Sequence, residues 1–353
     1  MSFGAFVSLL LIAAGAFGVT LVAVGTRPAY SRTQRLGYSA GVAVAVAVVL
    51  VIADLAGLGL LSTASEGTDP LLPLAAWVDR AVDWLVTAYG DALREHISNP
   101  IVYAIGFFER FLYQGIAWPA MAIAFALFAY HASRKWTLSL FVAVAFALIW
   151  ALQLWKPTMQ TLSLISVSIL VTALVGLPLG IAMGLSDRFR TLMRPVLDFM
   201  QTMPSFVYLI PVVMLFGLGT FSGVLATAVY AAPPLIRLTD LGLRLVDKEV
   251  MEAATAFGAS RSQKLWRVQL PLALPNVMAG VNQSIMMALA MVVIASMIGV
   301  RGLGQEVFYG LQRQEPGTGF TAGLCIVLLA IVLDRITQAY GRRMQSHYQT
   351  GAH

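Results

Sequence analysis

The sequence predicts an all-α, polytopic membrane protein with about nine transmembrane helices. Three observations predict it. Of 353 residues, 59% are hydrophobic and only 11% are charged, where a soluble domain carries about 25% charge. Several apolar windows reach the roughly 20 residues a helix needs to cross a bilayer, and mean hydropathy is +0.79. Clusters of Arg and Lys recur on alternate connections, the bias expected of cytosolic loops. The net charge of +6 then reflects those loops rather than nucleic-acid binding. Cys325, the single cysteine, lies in an apolar run and excludes an intrachain disulfide.

Residues 1–61 hold two spans, 3–25 and 37–61. The first run is long and no basic region precedes it, so it reads as a span rather than a cleaved leader. Arg27, Arg32 and Arg35 follow it, which places this loop in the cytosol and the N-terminus outside. Residues 62–115 differ in kind: seven carboxylates stand against Arg80, Arg94 and Arg110, which suits the outer face. Leu74, Trp77, Val78, Ala81, Val82, Leu85 and Val86 recur near helical spacing and predict an amphipathic helix. Residues 101–115 predict another. Residues 116–158 carry two further spans, 116–131 and 137–155, joined by a basic inner turn with His131, Arg134 and Lys135.

Residues 159–341 hold the remaining five spans. In the first, 159–185, Gly176, Gly180 and Gly184 share one helical face, a surface for close packing. Residues 186–199 are expected along the inner surface, followed by a span over 199–218, whose start at Gln201 to Phe206 breaks the apolar helix with polar groups and a proline, and another over 220–238 with Pro233 and Pro234 inside it. The last two cover about 276–300 and 317–339, with Arg301 to Gln305 in an outer loop. Arg342 and Arg343 open a cytoplasmic tail, 342–353.

Between the spans at 220–238 and 276–300 lies a polar break, residues 252–271. Glu252 to Phe257 is helical by propensity, with the small Ala253 and Ala254 keeping its surface low. Gly258 lets the backbone turn. Ser260 or Ser262 can cap a second short helix carrying Arg261, Lys264 and Arg267. Pro271 and Pro275 punctuate the return to the membrane. This is a low helix–turn–helix fit to dock on a soluble partner, although an ordinary basic loop shares its composition.

A translocation path needs polar or adaptable side chains within spans, because polar groups facing lipid are costly. Gln201, Ser205, Tyr208, Tyr230, Asn282 and Gln283 are the candidates, with Thr202 and Ser284 beside them. Asn282 must find a partner in hydrocarbon, either solute or another helix. Tyr208 and Tyr230 can offer cation–π contacts or simple interhelical packing. Met286, Met287, Met291 and Met297 read as packing. Asp54 is the one carboxylate placed well inside an apolar run, and it reads as reaching water or a neighbouring helix near the outer end. No Gly-rich loop ends in Lys-Ser or Lys-Thr, so the chain shows no ATP site, and its four His lack metal-ligand spacing. No catalytic, cofactor or metal site is expected.

Glu252-Ala253-Ala254, Gly258, Val268 and Leu270-Pro271 have the spacing of the EAA signature of bacterial ABC importer permeases, which this segment resembles. The stretch 159–341 is similar to the ProW-type permeases of glycine betaine/proline betaine importers. The likeness is carried by Gln201-Thr202-Met203-Pro204-Ser205-Phe206 through Gly217, Pro233 to Thr239, Phe257 to Ser260, Met278 to Ile298 and Leu333 to Ala339. The resemblance implies a type I ABC importer transmembrane domain working as a homodimer in the bacterial inner membrane. It implies two ATPase subunits, which carry the ATP and Mg, and an extracytoplasmic solute-binding protein. Glu252, Ala253, Ala254, Gly258 and Arg261 would then form the ATPase-coupling surface. The implied solute is glycine betaine or proline betaine. Choline, trimethylamine oxide or another small solute is the alternative, and a non-transporting sensor or scaffold is a further one. The two spans at 3–61 depart from the soluble N-terminal tail usual in that group.

Overall fold

A computed structural model describes residues 94–349 without a break, and residues 80, 82–84, 86–88 and 90 before them. The chain divides into two units, one ending at Ala88 and one starting at Tyr89. The spans expected at 3–25 and 37–61, and Asp54 with them, lie outside the described residues. The described residues of the first unit are helical, and Thr87 Oγ1 donates to Asp83 O at 2.7 Å.

The described part of the second unit consists of helices joined by short turns. After a π-turn over Arg94–Ser98 come α1 (Asn99–Tyr113), α2 (Trp118–Ser133), α3 (Trp136–Ala151), α4 (Trp155–Leu185) and α5 (Asp187–Thr202). A 3₁₀ turn over Ser205–Tyr208 leads into α6 (Leu209–Phe216) and then α7 (Thr220–Arg244). The polar break forms α8 (Lys248–Ala256) and α9 (Arg261–Lys264), and a π-turn over Leu265–Gln269 opens α10 (Leu270–Ser296). The chain closes with α11 (Leu303–Gln312) and α12 (Pro316–Gln349).

Among the described residues, four helical stretches are long and apolar enough to cross a membrane: Trp155–Leu185, Thr220–Arg244, Arg261–Ser296 and Pro316–Arg343. They answer to the spans expected at 159–185, 220–238, 276–300 and 317–339. Six result if each of two bent pairs is one span. α3, expected as a span over 137–155, is apolar but has 16 residues.

Two expectations are sharpened. The span over 199–218 is interrupted where its start reads as a break: α5 stops at Thr202, and the piece from Ser205 to Phe216 turns away by 113°. Met203 is extended because the residue before a proline is driven from the α region, and Pro204 enforces that break. Pro271 and Pro275 do not delay the next helix. The π-turn before them lets Leu270 N–H reach back to Leu265 O, and a widened turn of this kind accommodates the missing proline donor. Helix therefore runs unbroken from Arg261 to Ser296.

α7 lies in the middle of the described bundle, between α4 and α10. Gly176, Gly180 and Gly184 on α4 face Leu235, Thr239 and Leu243 on α7. Gly280 on α10 meets Leu235 and Leu238 from the other side. Small residues bring the backbones close enough for hydroxyls to reach across: Thr172 Oγ1 donates to Ala228 O at 3.0 Å, and Ser284 Oγ to Ala231 O at 2.6 Å.

Candidate functional site

The 252–271 segment folds locally for reasons its residues supply. Asp247 caps α8 by accepting from Glu249 N–H at 2.9 Å. Gly258 ends that helix with φ 79°, the left-handed conformation that costs glycine nothing. Ser260, rather than Ser262, caps α9. Its hydroxyl accepts from Gln263 N–H at 3.3 Å, and the Gln263 side chain accepts from Ser260 N–H at 2.8 Å. Such a reciprocal box satisfies two orphan donors and holds the turn angle. Lys264 Nζ, 3.1 Å from Thr255 Oγ1, ties the two short helices together.

No residue of α8, α9 or the following π-turn is buried. Glu252, Ala253, Gly258 and Arg261 are exposed and Ala254 is half-buried. Phe257 is 92% exposed and Trp266 62% exposed, a large apolar surface at the tip of a polar loop. An exposed aromatic pair of this size marks a contact site more often than a solvated loop. A cleft of about 530 Å³ separates the loop from Leu185 at the end of α4, walled by Met251, Arg261, Lys264 and Leu265.

The intramembrane candidates separate into two sets. Tyr208 and Tyr230 meet edge to face, with centroids 5.4 Å apart and planes at 73°. Tyr208 is buried, and its hydroxyl donates to Met200 O, which closes the corner between α5 and the 3₁₀ turn. Gln201 is exposed and Ser205 half-buried at the same corner. Beside it an apolar cavity of about 170 Å³ lies between α4, α5 and α7, lined by Val175, Met193, Leu197, Met200 and Ala232 among others.

Asn282 belongs to the other set. Its amide donates to Asp334 Oδ1 at 2.9 Å and accepts from the Thr337 hydroxyl, and Gln338 also donates to Asp334 Oδ1 at 2.7 Å. The partner that an amide in hydrocarbon requires is thus another helix, α12. Gln283, its neighbour, is exposed.

Sequence reasoning missed one constellation. Asp240, buried on α7, accepts from Arg190 Nε at 2.8 Å and from Arg244 Nε at 2.7 Å. Arg244 also donates to Asp187 Oδ1 at 2.6 Å and to Met183 O at 2.8 Å. The network fastens the end of α7, three residues before α8, to the α4–α5 corner. Asp187 and Arg190, and Asp240 and Arg244, are each at one-turn spacing, which was the available signal. Among the described residues no cluster of His, Cys, Asp and Glu is arranged to hold a metal.

Residues 176–346 match the family described as binding-protein-dependent transport system inner membrane component. The glycine betaine/carnitine transport permease protein GbuB of Listeria monocytogenes is 46% identical over 279 residues, covering 78% of this chain and 98% of that protein. The glycine betaine/proline betaine transport system permease protein ProW of Escherichia coli is 45% identical over 286 residues, covering 80% of each. The trimethylamine N-oxide transport system permease protein TmoV of Ruegeria pomeroyi is 34% identical over 343 residues, covering 94% of this chain and 51% of that protein.

Proposed function

We propose a function from one premise: this chain belongs to the family of binding-protein-dependent transport system inner membrane components. It is the permease subunit of an ATP-driven importer in the bacterial inner membrane. Its solute is a small methylated-nitrogen zwitterion of the glycine betaine or proline betaine type. Two copies form the path by alternating access, two ATPase subunits dock on the 252–264 turns, and an extracytoplasmic binding protein delivers solute. Nine spans, two of them within residues 1–61, carry the N-terminus outside.

The observation that carries the coupling assignment is the 252–264 turn. It is capped at both helices, wholly unburied, and tipped by Phe257. A rigid, exposed turn with an apolar tip is what a groove on a soluble subunit can grip. The buried Asp240 network supports a mechanical link, since it ties the element preceding that turn to α4 and α5. Solute chemistry rests on the names of the relatives. Tyr208 and Tyr230 can add cation–π contacts of about 0.5–2 kcal/mol if a copy rearrangement exposes their faces.

Trimethylamine oxide as the solute is favoured by one observation, the likeness to the Ruegeria protein across 94% of this chain. Reconstituting the chain with its ATPase and binding protein in liposomes separates the readings. ATP-dependent uptake of glycine betaine or proline betaine is expected. Uptake confined to trimethylamine oxide or choline would move the assignment to that solute. Uptake confined to unmethylated amino acids would overturn it. A complex that hydrolyses ATP and imports nothing would mark a sensor or scaffold.

A further inference from the structure

The turn joining α2 to α3 is built as a rigid corner. Ser133 Oγ donates to Ala129 O at 2.8 Å and accepts from Lys135 N–H at 3.1 Å. Arg134 takes the left-handed conformation, φ 55°, and its N–H closes α2 on Tyr130 O. α12 crosses this corner. Arg343 donates to His131 O at 2.7 Å, and the Tyr340 hydroxyl sits 3.2 Å from His131 Nδ1.

Between corner and helix lies a pocket of about 300 Å³. Arg134, Lys135, Arg342 and Arg343 line it together with Ala132, Ser133 and Ala339, and no carboxylate does. Among the described residues no ion pair engages Arg134, Lys135 or Arg342. The first turn of α3 opens beside it, and Lys135 at its N-cap makes no side-chain capping bond. The N-terminal amides of that helix add the positive end of a helix dipole to the charges of Arg134, Lys135 and Arg342. The field in the pocket asks for an anion.

A second observation says what the anion is attached to. α2 and α3 carry no Asp, Glu, Lys or Arg. Trp136, Leu140 and Val144 form an exposed stripe down α3, at 69%, 52% and 57%, and Leu127 on α2 is 62% exposed. Trp136 directly follows Lys135, so the stripe starts at the rim of the pocket. The pocket also lies at the same end of the bundle as the 252–264 turn. α10 leads away from that turn and reaches the end of α12 within its first half, where Met278 Cβ lies 3.7 Å from the position of a Gly341 Cβ.

We propose that this pocket binds the phosphate headgroup of an anionic phospholipid, whose acyl chains lie along the apolar stripe of α2 and α3. A soluble phosphate uses the cations and leaves the stripe uncovered; a lipid satisfies both. The aromatic residue at the rim and the basic groups just beyond it match the composition of a membrane boundary. The assignment does not rest on transport, because lipid retention is read on the purified full chain.

The test is native mass spectrometry of the detergent-purified chain titrated with phosphatidylglycerol, with phosphatidylcholine of the same acyl chains, and with inorganic phosphate. Phosphatidylglycerol is expected to bind preferentially. Affinity should fall roughly fivefold for each cation removed in the series Lys135→Gln, Arg342→Gln and Arg134→Asn. Asparagine is chosen at 134 because it tolerates the left-handed backbone. Equal retention of both lipids by the unmodified chain would overturn the proposal without any variant having to fold. So would inorganic phosphate binding that phosphatidylglycerol fails to displace. A spontaneous disulfide between Val144→Cys copies in the membrane would also overturn it, by showing the stripe to be a protein interface.

Discussion

Gly180 is the tightest point of the α4–α7 contact. A Cβ there would lie 2.6 Å from Thr239 Cβ and 2.9 Å from Ile236 O, and a backbone oxygen cannot swing aside as a side-chain end can. Gly180→Ala should therefore cost about 1–3 kcal/mol by overpacking. Gly106 in α1 is the control, since a Cβ there meets nothing within 4 Å. Gly106→Ala should be neutral or stabilise by about 0.5–1 kcal/mol through helix propensity. Thermal unfolding in detergent reads both, and equal melting temperatures would contradict the close approach. The spacing of Gly176, Gly180 and Gly184 showed this surface in the sequence. It did not show that α7 was the partner.

At the scale of elements, the 252–264 turn separates folding from docking. A Cβ at Gly258 meets nothing within 4 Å, so the strain of a substitution is confined to the left-handed backbone at φ 79°. Gly258→Val should cost about 1–2 kcal/mol locally and leave an inserted, folded chain. Copurification with the ATPase should nonetheless be lost, because under the proposed coupling role the partner grips the turn through the angle between α8 and α9. Wild-type recovery of the complex would remove the coupling role from this turn. Helix, glycine and cap were each legible here from residue types. The choice of Ser260 over Ser262 was not, since both hydroxyls precede the same helix and only the reciprocal bond with Gln263 selects one.

The whole molecule sets which loops share a side. α10 connects the 252–264 turn to α12, and α12 in turn touches the α2–α3 corner through Tyr340 and Arg343. Those contacts place residues 135 and 262 at one end of the bundle. Single cysteines at Lys135 and Ser262 should therefore label from the same side of the membrane, and one at Glu66 from the other. Cys325 is buried and should stay silent with a membrane-impermeant reagent. Labelling of positions 66 and 135 from one side would sink the proposed topology. The basic-loop pattern carried this expectation, because an Arg or Lys is cheaper to leave in the cytosol than to translocate.

The class, the long helices and the exposed turn were legible in the residues alone. Length, apolarity and capping chemistry act within one segment, so one segment suffices to read them. The packing of the helices set the rest. It turned the piece after Pro204 by 113° from the helix before it, where the sequence showed only that polar groups and a proline interrupt an apolar run. It gave Asn282 to Asp334 and Thr337, which lie 52 and 55 residues away. It joined Asp240 to Arg190 across 50 residues, and Tyr208 to Tyr230 across a corner. Which polar group meets which depends on how helices pack, and packing is a property of several segments at once. A periodicity shows that a helix has a face, but only the neighbouring helix determines what that face meets.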